Sequence, residues 1–573
     1  MAEAVYPNVW APGQLFAFSG VDGETDWFHP FVASTLADDV GLLFHLNEPQ
    51  RLWCEPATMV VEELVPRVVS GDCIEFFVKS SRGQPFPIRY LFFDRFTVIG
   101  ETSIHMPPRV RTDGSAVVGH APDVVTHSSR EEHTALVTET YGEKLIFAFS
   151  FSPQSEHRAT EQARQALREN VPGLQQRKLF FYTALPDIGG DNERRRRTVV
   201  KAFSVLKTNV ESPQGLLTRR WSTPDRWPHR DMWLWDSCFH ALGYRLFSTD
   251  LAAEVLMAVL SAQRQDGFIA HQVSPVGMSD ITQPPLLAWA FLEVFRPVED
   301  RSPVETAYPQ LCRFLEWVLE NRRSHDEGLL AWQVSDDPLC RCAESGMDNS
   351  PRFDRGVPLT AVDLNSYVVN EMNCLADLAL LIGRKDEAAR WRTRAARLAQ
   401  AVNERLWDET DRFYYDRTVD GEPVRVRTAA AFLPLFAGIP DRVQAWRLVE
   451  HLRDANAFWT AFPVPSVAKN EDAYELDMWR GPTWLNLDLL IVEGLVRYGF
   501  GEIAREMTQR IRTGVEHWYG RIGSIYEFYD PDGQIPPPEL DRKQRLRTGE
   551  GIAPISDYSW SAACYLALVA GIP

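Results

Sequence analysis

The acidic residues Glu344, Asp348 and Asp354 share one short segment, ESGMDNSPRFD. Gly346 and Pro351 interrupt regular structure there, and the Ser and Asn side chains compete for backbone hydrogen bonds, so we predict an ordered loop. A carboxyl group in such a loop can be kept protonated by its surroundings and can then donate a proton. That chemistry requires a second carboxylate from another part of the chain.

Glu527 is the second acid that we select. Tyr526, Phe528 and Tyr529 flank it, and this aromatic setting can orient a carboxylate and limit the access of bulk water. Spacing alone leaves open whether Glu527 has this role or faces solvent in an aromatic loop. An acid that protonates a leaving oxygen, with a carboxylate that attacks a sugar or activates a water, is the pair that glycoside hydrolysis needs.

Short aromatic and β-branched segments, such as 73–79 and 145–151, predict strands in the first part of the chain. Many short strands without helices between them indicate an antiparallel β-sandwich-like domain at 1–185, with a linker helix near 156–170. The basic run at 194–197 is read as a solvated linker or a helix start.

Apolar 3.6-residue periodicity predicts a mainly α second domain at 186–573. We predict helices near 197–208, 236–247, 250–264, 284–296, 305–323, 363–383, 385–407, 426–436, 440–453, 483–498, 500–518 and 557–570. Short joins alternate with long loops, a pattern that can close into an (α/α)6 toroid with the long loops at one mouth. An open helical solenoid is the alternative, although no repeat of fixed period is visible.

Composition limits the classes of partner. The net charge of −18 disfavours nucleic acid and anionic membranes, so a small polar or neutral partner is expected. The eight cysteines have neither zinc-site spacing nor the density of a disulfide scaffold. We expect no metal and no cofactor, with a structural calcium held by loop carboxylates left open. The absence of a secretory signal and of a long apolar run predicts a cytoplasmic protein.

Four blocks stand in order along the chain: WLWDSCFH at 233–240, SGMDNS at 345–350, WRGPTW at 479–484 and YEFYD at 526–530. Together they resemble the toroidal catalytic domain of glycoside hydrolase family 63, which includes processing α-glucosidases and mannosylglycerate or glucosylglycerate hydrolases. More distantly, the set resembles trehalases. The resemblance covers about 197–573 and implies an inverting mechanism, with Asp348 as the general acid and Glu527 as the general base.

The resemblance also indicates residues that bind the substrate, and it supports some of them more strongly than others. Trp233 and Asp236 lie in the block that lines the sugar pocket in the family, although Asp236 could instead cap the following helix. Arg480 and Trp484 belong to the third block and are expected to line the same pocket, although Arg480 could equally pair with a structural acid. The remaining candidates could each donate to a sugar hydroxyl, and a structural role is the alternative for each: His271, Gln272 and Gln283.

We therefore predict an inverting glycosidase acting on a small α-linked glucoside or mannoside. A sugar phosphorylase of the toroid type and a catalytically inactive carbohydrate-binding protein are the alternatives. A charged substrate such as a sugar glycerate would require arginines near the leaving group, for which Arg226, Arg230 and Arg352 are available.

Overall fold

The computed structural model of the chain describes residues 5–37, 40–57, 59–81, 84–112, 124–325 and 328–571. The chain divides into two compact units. The first comprises Met1–Gln214, Asp225–Arg230 and Glu516–Ile525, and the second comprises Gly215–Pro224, Asp231–Val515 and Tyr526–Pro573. The predicted domain limits at 1–185 and 186–573 stay predictions.

The first unit contains two antiparallel sheets in the part of it that the structure describes. Their strands are β1 Leu15–Ala17, β2 Val32–Thr35, β3 Gly41–Phe44, β4 Gln50–Cys54, β5 Val61–Val69, β6 Cys73–Ser80, β7 Phe86–Asp94, β8 Thr97–Ser103, β9 Pro108–Thr112, β10 Val124–Ser129, β11 Glu132–Tyr141 and β12 Lys144–Ser152. One sheet has the order β1-β2-β3-β4-β9 and the other has the order β10-β11-β12-β8-β7-β6-β5.

An aromatic core joins these two sheets. Phe16 of the first sheet lies 4.8 Å from Phe92 of the second, measured between ring centroids, and Phe44 lies 5.0 Å from Phe149. In β4, every second side chain is buried, the period expected of a strand with one face on a core. The prediction of a β-rich N-terminal region is therefore confirmed.

Helices make up most of the rest of the described chain. They are α1 Glu156–Ala166, α2 Val171–Thr183, α3 Glu193–Thr208, α4 Leu234–Tyr244, α5 Thr249–Ser261, α6 Leu287–Phe295, α7 Ser302–Asn321, α8 Val362–Leu381, α9 Lys385–Leu406, α10 Leu433–Ala437, α11 Arg442–Leu452, α12 Leu485–Arg497, α13 Gly501–Ile522, α14 Arg545–Thr548 and α15 Ser559–Ala570. The helix predicted near 156–170 ends at Ala166, and α2 follows it with Pro172 in its first turn, a position that tolerates proline.

Two kinds of helix alternate in the second unit. Helices α4, α6, α10 and α15 are buried almost all round, as expected of elements inside a core. Helix α9 buries only a stripe that includes Ala388, Trp391, Ala395 and Leu398. The buried helices pack in the order α4, α6, α8, α10, α12 and α15, and α15 also packs on α4. The prediction of a mainly helical second part is confirmed.

Short strands and turns connect these helices. The strands are Val210–Glu211, Trp221–Ser222, Met232–Trp233, Gln272–Ser274, Gly277–Met278, Ala331–Trp332, Leu359–Thr360, Trp407–Asp408, Phe413–Tyr414, Asp416–Thr418 and Pro423–Val424. The 3-10 turns are Ala343–Ser345, Pro351–Phe353, Ala429–Phe432, Met478–Arg480 and Pro537–Glu539. Within the described ranges, none of the helices combines the length and the apolar character needed to cross a bilayer.

Candidate active site

Asp348 lies in the second unit, on a loop between the 3-10 turns Ala343–Ser345 and Pro351–Phe353. The loop is closely packed at Gly346, whose φ of 70° is left-handed and where a Cβ atom would lie 2.2 Å from the Trp235 ring. Glycine is therefore required there on two counts. The Asp348 side chain is 19% exposed, so its carboxylate is held by the protein and is still open to a ligand.

The other two acids of the loop have structural ion pairs. Glu344 is buried and accepts both guanidinium contacts of Arg322, one of them 2.9 Å long. Asp354 accepts two N–H groups of Arg480, at 2.8 and 3.0 Å. Of the three acids, Asp348 is thus the one that an arginine fork does not hold.

Arg352 is held by acids from outside the loop. Its guanidinium lies 2.6 Å from Asp363 of α8 and 2.8 Å from Asp416, and all three side chains are buried. Neither Glu344 nor Asp354 holds Arg352, because both already pair with other arginines. This buried ion pair anchors the loop beneath Asp348.

Glu527 is buried, and it is held by contacts with Arg542 and Ile555. Arg542 donates from Nε to one carboxylate oxygen at 3.0 Å and from its terminal nitrogen to the other at 3.3 Å. The backbone N–H of Ile555 donates at 3.3 Å to the same oxygen as Nε does, and the Glu527 N–H donates to the Ile555 carbonyl at 2.9 Å. The interpretation of Glu527 as a solvent-facing side chain is wrong, since its side chain is only 2% exposed.

Consecutive residues link the two candidate carboxylates. Arg542 pairs with Glu527, and the ammonium of Lys543 lies 2.7 Å from Oδ2 of Asp348. The charge of Asp348 also acts on Arg542, as it does on His271. The structure therefore brings Asp348 and Glu527 into one charged neighbourhood, although they are far apart in sequence.

His271, Gln272 and Trp233 lie together at the start of α4. Trp233 pairs with Gln272 in a short antiparallel ladder, and the Trp233 and His271 rings meet edge to face at 5.0 Å. Burial lowers the pKa of His271 to about 4, against the opposing effect of the Asp348 charge, so the imidazole is neutral near pH 7. Its Nδ1 is hydrogen-bonded to Ser279. Gln272 donates to Asp231 at 2.6 Å.

Asp236 and Gln283 have positions that the sequence did not predict in detail. The helix α4 begins at Leu234, so Asp236 lies inside its first turn and does not cap it. Asp236 is buried. The side-chain oxygen of Gln283 accepts the backbone N–H of Trp235 at 3.2 Å, which gives this glutamine a structural role at the same helix end.

Trp484 belongs to a buried cluster of indoles. Its ring stacks on Trp479 at 3.7 Å, and it contacts Trp560 at 5.6 Å and Phe528 at 4.8 Å. Trp235 joins the cluster through Trp560 at 5.2 Å. Trp484 thus supports the segment that carries Glu527, and its 1% exposure leaves little surface for a sugar.

Arg542 and Lys543 were not selected from the sequence. They follow Glu527 in a basic run, DRKQRLR at 541–547. The run matches no known motif, and such a run usually indicates a solvated surface. Arg226, Arg230 and Arg352, which were selected as cations for a charged substrate, have other partners: Glu211, the Trp27 carbonyl, and Asp363 with Asp416.

The described residues contain no group of three or more His, Cys, Asp and Glu side chains arranged to hold a metal ion. All eight cysteines are free thiols. The chemistry available from the arrangement is general acid and general base catalysis by two carboxyl groups, each of which lies beside a cation.

Comparisons with known proteins show what this chain is similar to. The sequence model of a family described as the mannosylglycerate hydrolase MGH1-like glycoside hydrolase domain matches residues 228–561. The mannosylglycerate hydrolase of Thermus thermophilus is 27% identical over 455 residues, covering 64% of this chain and 99% of that protein.

Solved structures show the same relationship. A crystal structure of the GH63 mannosylglycerate hydrolase from Thermus thermophilus in complex with Tris and D-glycerate has a TM-score of 0.53 and 25% identity, covering 64% of this chain and 99% of that one. A bacterial glucoamylase complexed with acarbose, at 11% identity, has a TM-score of 0.61 and covers 100% of this chain and 96% of its own. The second likeness concerns the fold alone and extends over both units.

Proposed function

Because the chain belongs to the mannosylglycerate hydrolase MGH1-like family of glycoside hydrolase family 63 and is a glycosidase, we propose that it hydrolyses a small α-linked mannoside or glucoside with inversion. The observation that carries the proposal is the pairing of Glu527 with Arg542 and of Asp348 with the adjacent Lys543. It supplies two carboxylates in one neighbourhood, as acid and base catalysis requires.

The two carboxylates have different environments that suit different roles. Glu527 is buried and accepts hydrogen bonds from Arg542 and from a backbone N–H, which hold its carboxylate in one orientation, as a general base requires. Asp348 is more exposed and stands on a loop, where a leaving group can reach it. We assign Glu527 as the base and Asp348 as the acid.

The proposed reaction transfers one proton at each carboxylate. Asp348 gives its proton to the glycosidic oxygen as the bond between that oxygen and C1 breaks. A water on the opposite face of the sugar forms the new bond to C1 and gives a proton to Glu527. The products are the free sugar with inverted configuration and the aglycone alcohol, and the two carboxyl groups then exchange protons with solvent.

We propose Trp233, Asp236 and His271 as the wall of the sugar pocket. Trp233 and His271 present rings at the start of α4, and Asp236 lies one turn further along the same helix. An aromatic face combined with a carboxylate is the usual equipment for binding sugar hydroxyls. Arg480, Gln272 and Gln283 each have a protein partner and are assigned supporting roles.

The proposed scaffold is an (α/α)6 toroid. Helices α4, α6, α8, α10, α12 and α15 would form its inner ring, since each packs on the next and α15 returns to α4. The loops before α4, α12 and α15 carry Trp233, Trp484 and Tyr558, so they would gather at one end of the ring. A sugar pocket at that mouth follows from the same arrangement.

The substrate class is proposed from the relatives. The Thermus thermophilus relative is named a mannosylglycerate hydrolase, and its crystal structure contains D-glycerate. We propose a sugar glycerate, either mannosylglycerate or glucosylglycerate, as the substrate of this chain.

The test is release of sugar from mannosylglycerate and glucosylglycerate in phosphate-free buffer by the wild type, Asp348→Asn and Glu527→Gln. We expect each substitution to lower kcat by about 10²- to 10⁴-fold, the typical worth of a general acid or base. Asp532→Asn, an exposed acid paired with Lys469, is the control and should retain activity. Wild-type activity in both variants, or phosphate-dependent release alone, would contradict the proposal.

A further inference from the structure

The position of Lys543 conflicts with the role of general acid that is assigned to Asp348. Its ammonium lies 2.7 Å from Oδ2 of Asp348, and a cation at that distance favours the ionised carboxylate. A general acid has to hold a proton when the glycosidic bond breaks. In the free protein, the proposed acid is therefore paired with a cation that has to be displaced before the reaction.

Arg542, the preceding residue, does not create such a conflict. It holds Glu527 with two N–H groups, and a base benefits from being ionised. The two cations also differ in how they are held, because the Arg542 side chain is 10% exposed and that of Lys543 is 28% exposed. A lysine on a flexible stem with one contact can change partners more easily than a forked arginine.

The backbone beneath Lys543 is fixed although its side chain is accessible. Lys543 and Gln544 both have left-handed φ values, of 52° and 60°. Non-glycine residues keep such values only where the surroundings impose them, and they are common at functional sites. Asp477 accepts the Gln544 N–H at 3.2 Å, and Asp541 accepts the Arg542 N–H at 2.8 Å. These contacts direct Lys543 toward Asp348.

Other groups near Asp348 do not replace this cation. His271 is neutral near pH 7, because burial lowers its pKa to about 4. Burial raises the pKa of Cys340, which is hydrogen-bonded to Asp348, to about 12, so it is a neutral thiol. Arg542 is committed to Glu527. Among these described groups, Lys543 is thus the cation available to a substrate beside the acid. Burial lowers the pKa of Lys543, and Asp348 and Cys340 together raise it above its usual value.

We propose that Lys543 is an exchangeable counter-ion that leaves Asp348 for the carboxylate of the substrate's aglycone, so that an anionic aglycone allows Asp348 to take up the proton it will donate. This proposal rests on the proposed function and adds a specificity-determining residue to it. With both carboxylates ionised, the charges of Asp348, Glu527, Arg542 and Lys543 sum to zero. Binding one substrate carboxylate together with one proton keeps that sum at zero.

A neutral aglycone cannot make the exchange. It leaves Lys543 on Asp348, and the acid then has to be protonated against the ammonium. Discrimination against neutral aglycones would therefore appear in kcat as well as in KM.

The first experiment compares mannosylglycerate with a neutral-aglycone mannoside, such as mannosylglycerol, for the wild type and Lys543→Met. We expect the variant to lose roughly tenfold to a hundredfold in kcat/KM for the glycerate, the worth of one charge-assisted contact. For the neutral substrate we expect kcat to rise, because Asp348 no longer has to be protonated against the ammonium. Lys469→Met is the matched control, because Lys469 is equally exposed, at 28%, and also pairs with an aspartate. Equal losses on both substrates would overturn the proposal.

The second experiment measures proton uptake on ligand binding and does not require hydrolysis. Calorimetric titration with D-glycerate near pH 7, in buffers of different ionisation enthalpy, should show uptake of about one proton per glycerate bound by the wild type. We expect weaker binding without uptake for Lys543→Met, and retained uptake for Lys543→Arg and Lys469→Met. Unchanged uptake in Lys543→Met, or no binding of D-glycerate by the wild type, would overturn the proposal. Proton uptake without hydrolysis would instead contradict only the proposed function.

Discussion

At the scale of single residues, Gly346 shows how closely the site depends on one backbone conformation. Its Cα lies against the Trp235 ring, and its left-handed φ of 70° lets the chain turn toward Asp348. Nothing larger than hydrogen fits between the loop and the ring. The orientation of Asp348 is therefore set partly by a residue that carries no chemistry.

The variant Gly346→Ala should lower both stability and kcat. A left-handed alanine costs about 1 to 2 kcal/mol, and the clash with Trp235 adds roughly 1 to 3 kcal/mol. Gly356→Ala is the control, because its φ is 65° and its Cβ would meet only the flexible end of Arg341, at 3.5 Å. Urea denaturation and steady-state kinetics should show the larger loss for Gly346→Ala. Equal losses in the two variants would mean that the Trp235 contact has no influence.

At the scale of elements, α6 and α8 are joined by a buried carboxylate. Glu371 on α8 accepts the N–H groups of Ala288 and Trp289 in the first turn of α6, both at 2.8 Å. These groups are among the unsatisfied donors of a helix N-terminus. Burial raises the pKa of Glu371 from about 4.5 to about 8, although the two N–H donors lower it.

This shift makes a pH-dependent contribution to stability. Between about pH 4.5 and pH 8 the folded chain keeps the Glu371 proton and the unfolded chain has lost it, so the free energy of unfolding falls as pH rises through that window. Below about pH 4.5 both states are protonated, and the contribution is fully present.

The variant Glu371→Gln removes the titration and keeps a hydrogen-bond acceptor. Its stability relative to the wild type should therefore rise from pH 5 to pH 8. Urea denaturation at pH 5, 6.5 and 8 measures this difference. Glu404→Gln, an exposed acid on α9, serves as the control and should show no such trend. A relative stability of Glu371→Gln that stays constant with pH would contradict the assignment.

Sequence periodicity was a good guide to these elements. Helices as long as α7, α8 and α9 were found close to their observed limits, because their apolar spacing is regular over several turns. The segment predicted as a helix at 426–436 is instead a 3-10 turn, Ala429–Phe432, followed by the short α10. An apolar run that is buried on every side gives no periodic signal to distinguish the two.

At the scale of the whole molecule, the site depends on contacts that no local pattern encodes. Asp348 and Glu527 were selected through loop composition and family resemblance. The partners that hold them, Arg542 and Lys543, lie in a basic run typical of exposed surface. Such a run becomes part of a site only when the fold places it between two carboxylates, so it could not be found from sequence alone.

The fold also shows which of the predicted side chains remain candidates for binding a sugar. Arg480 and Trp484 have the residue types of a sugar pocket, yet one is engaged by Asp354 and the other is buried against Trp479. The rings of Trp233 and His271 lie together at the start of α4, and their role in binding a sugar stays a prediction. Residue type alone does not distinguish the two pairs, and the contacts made in the fold do.

The most direct measurement of the central claim is the configuration of the sugar released first. Proton NMR during the first minutes of hydrolysis of an α-linked sugar glycerate would detect the anomeric proton before mutarotation. An acid at Asp348 and a base at Glu527 that activates water on the opposite face predict the β-anomer as the first product. Initial appearance of the α-anomer would mean retention of configuration and would contradict the roles assigned to the two carboxylates.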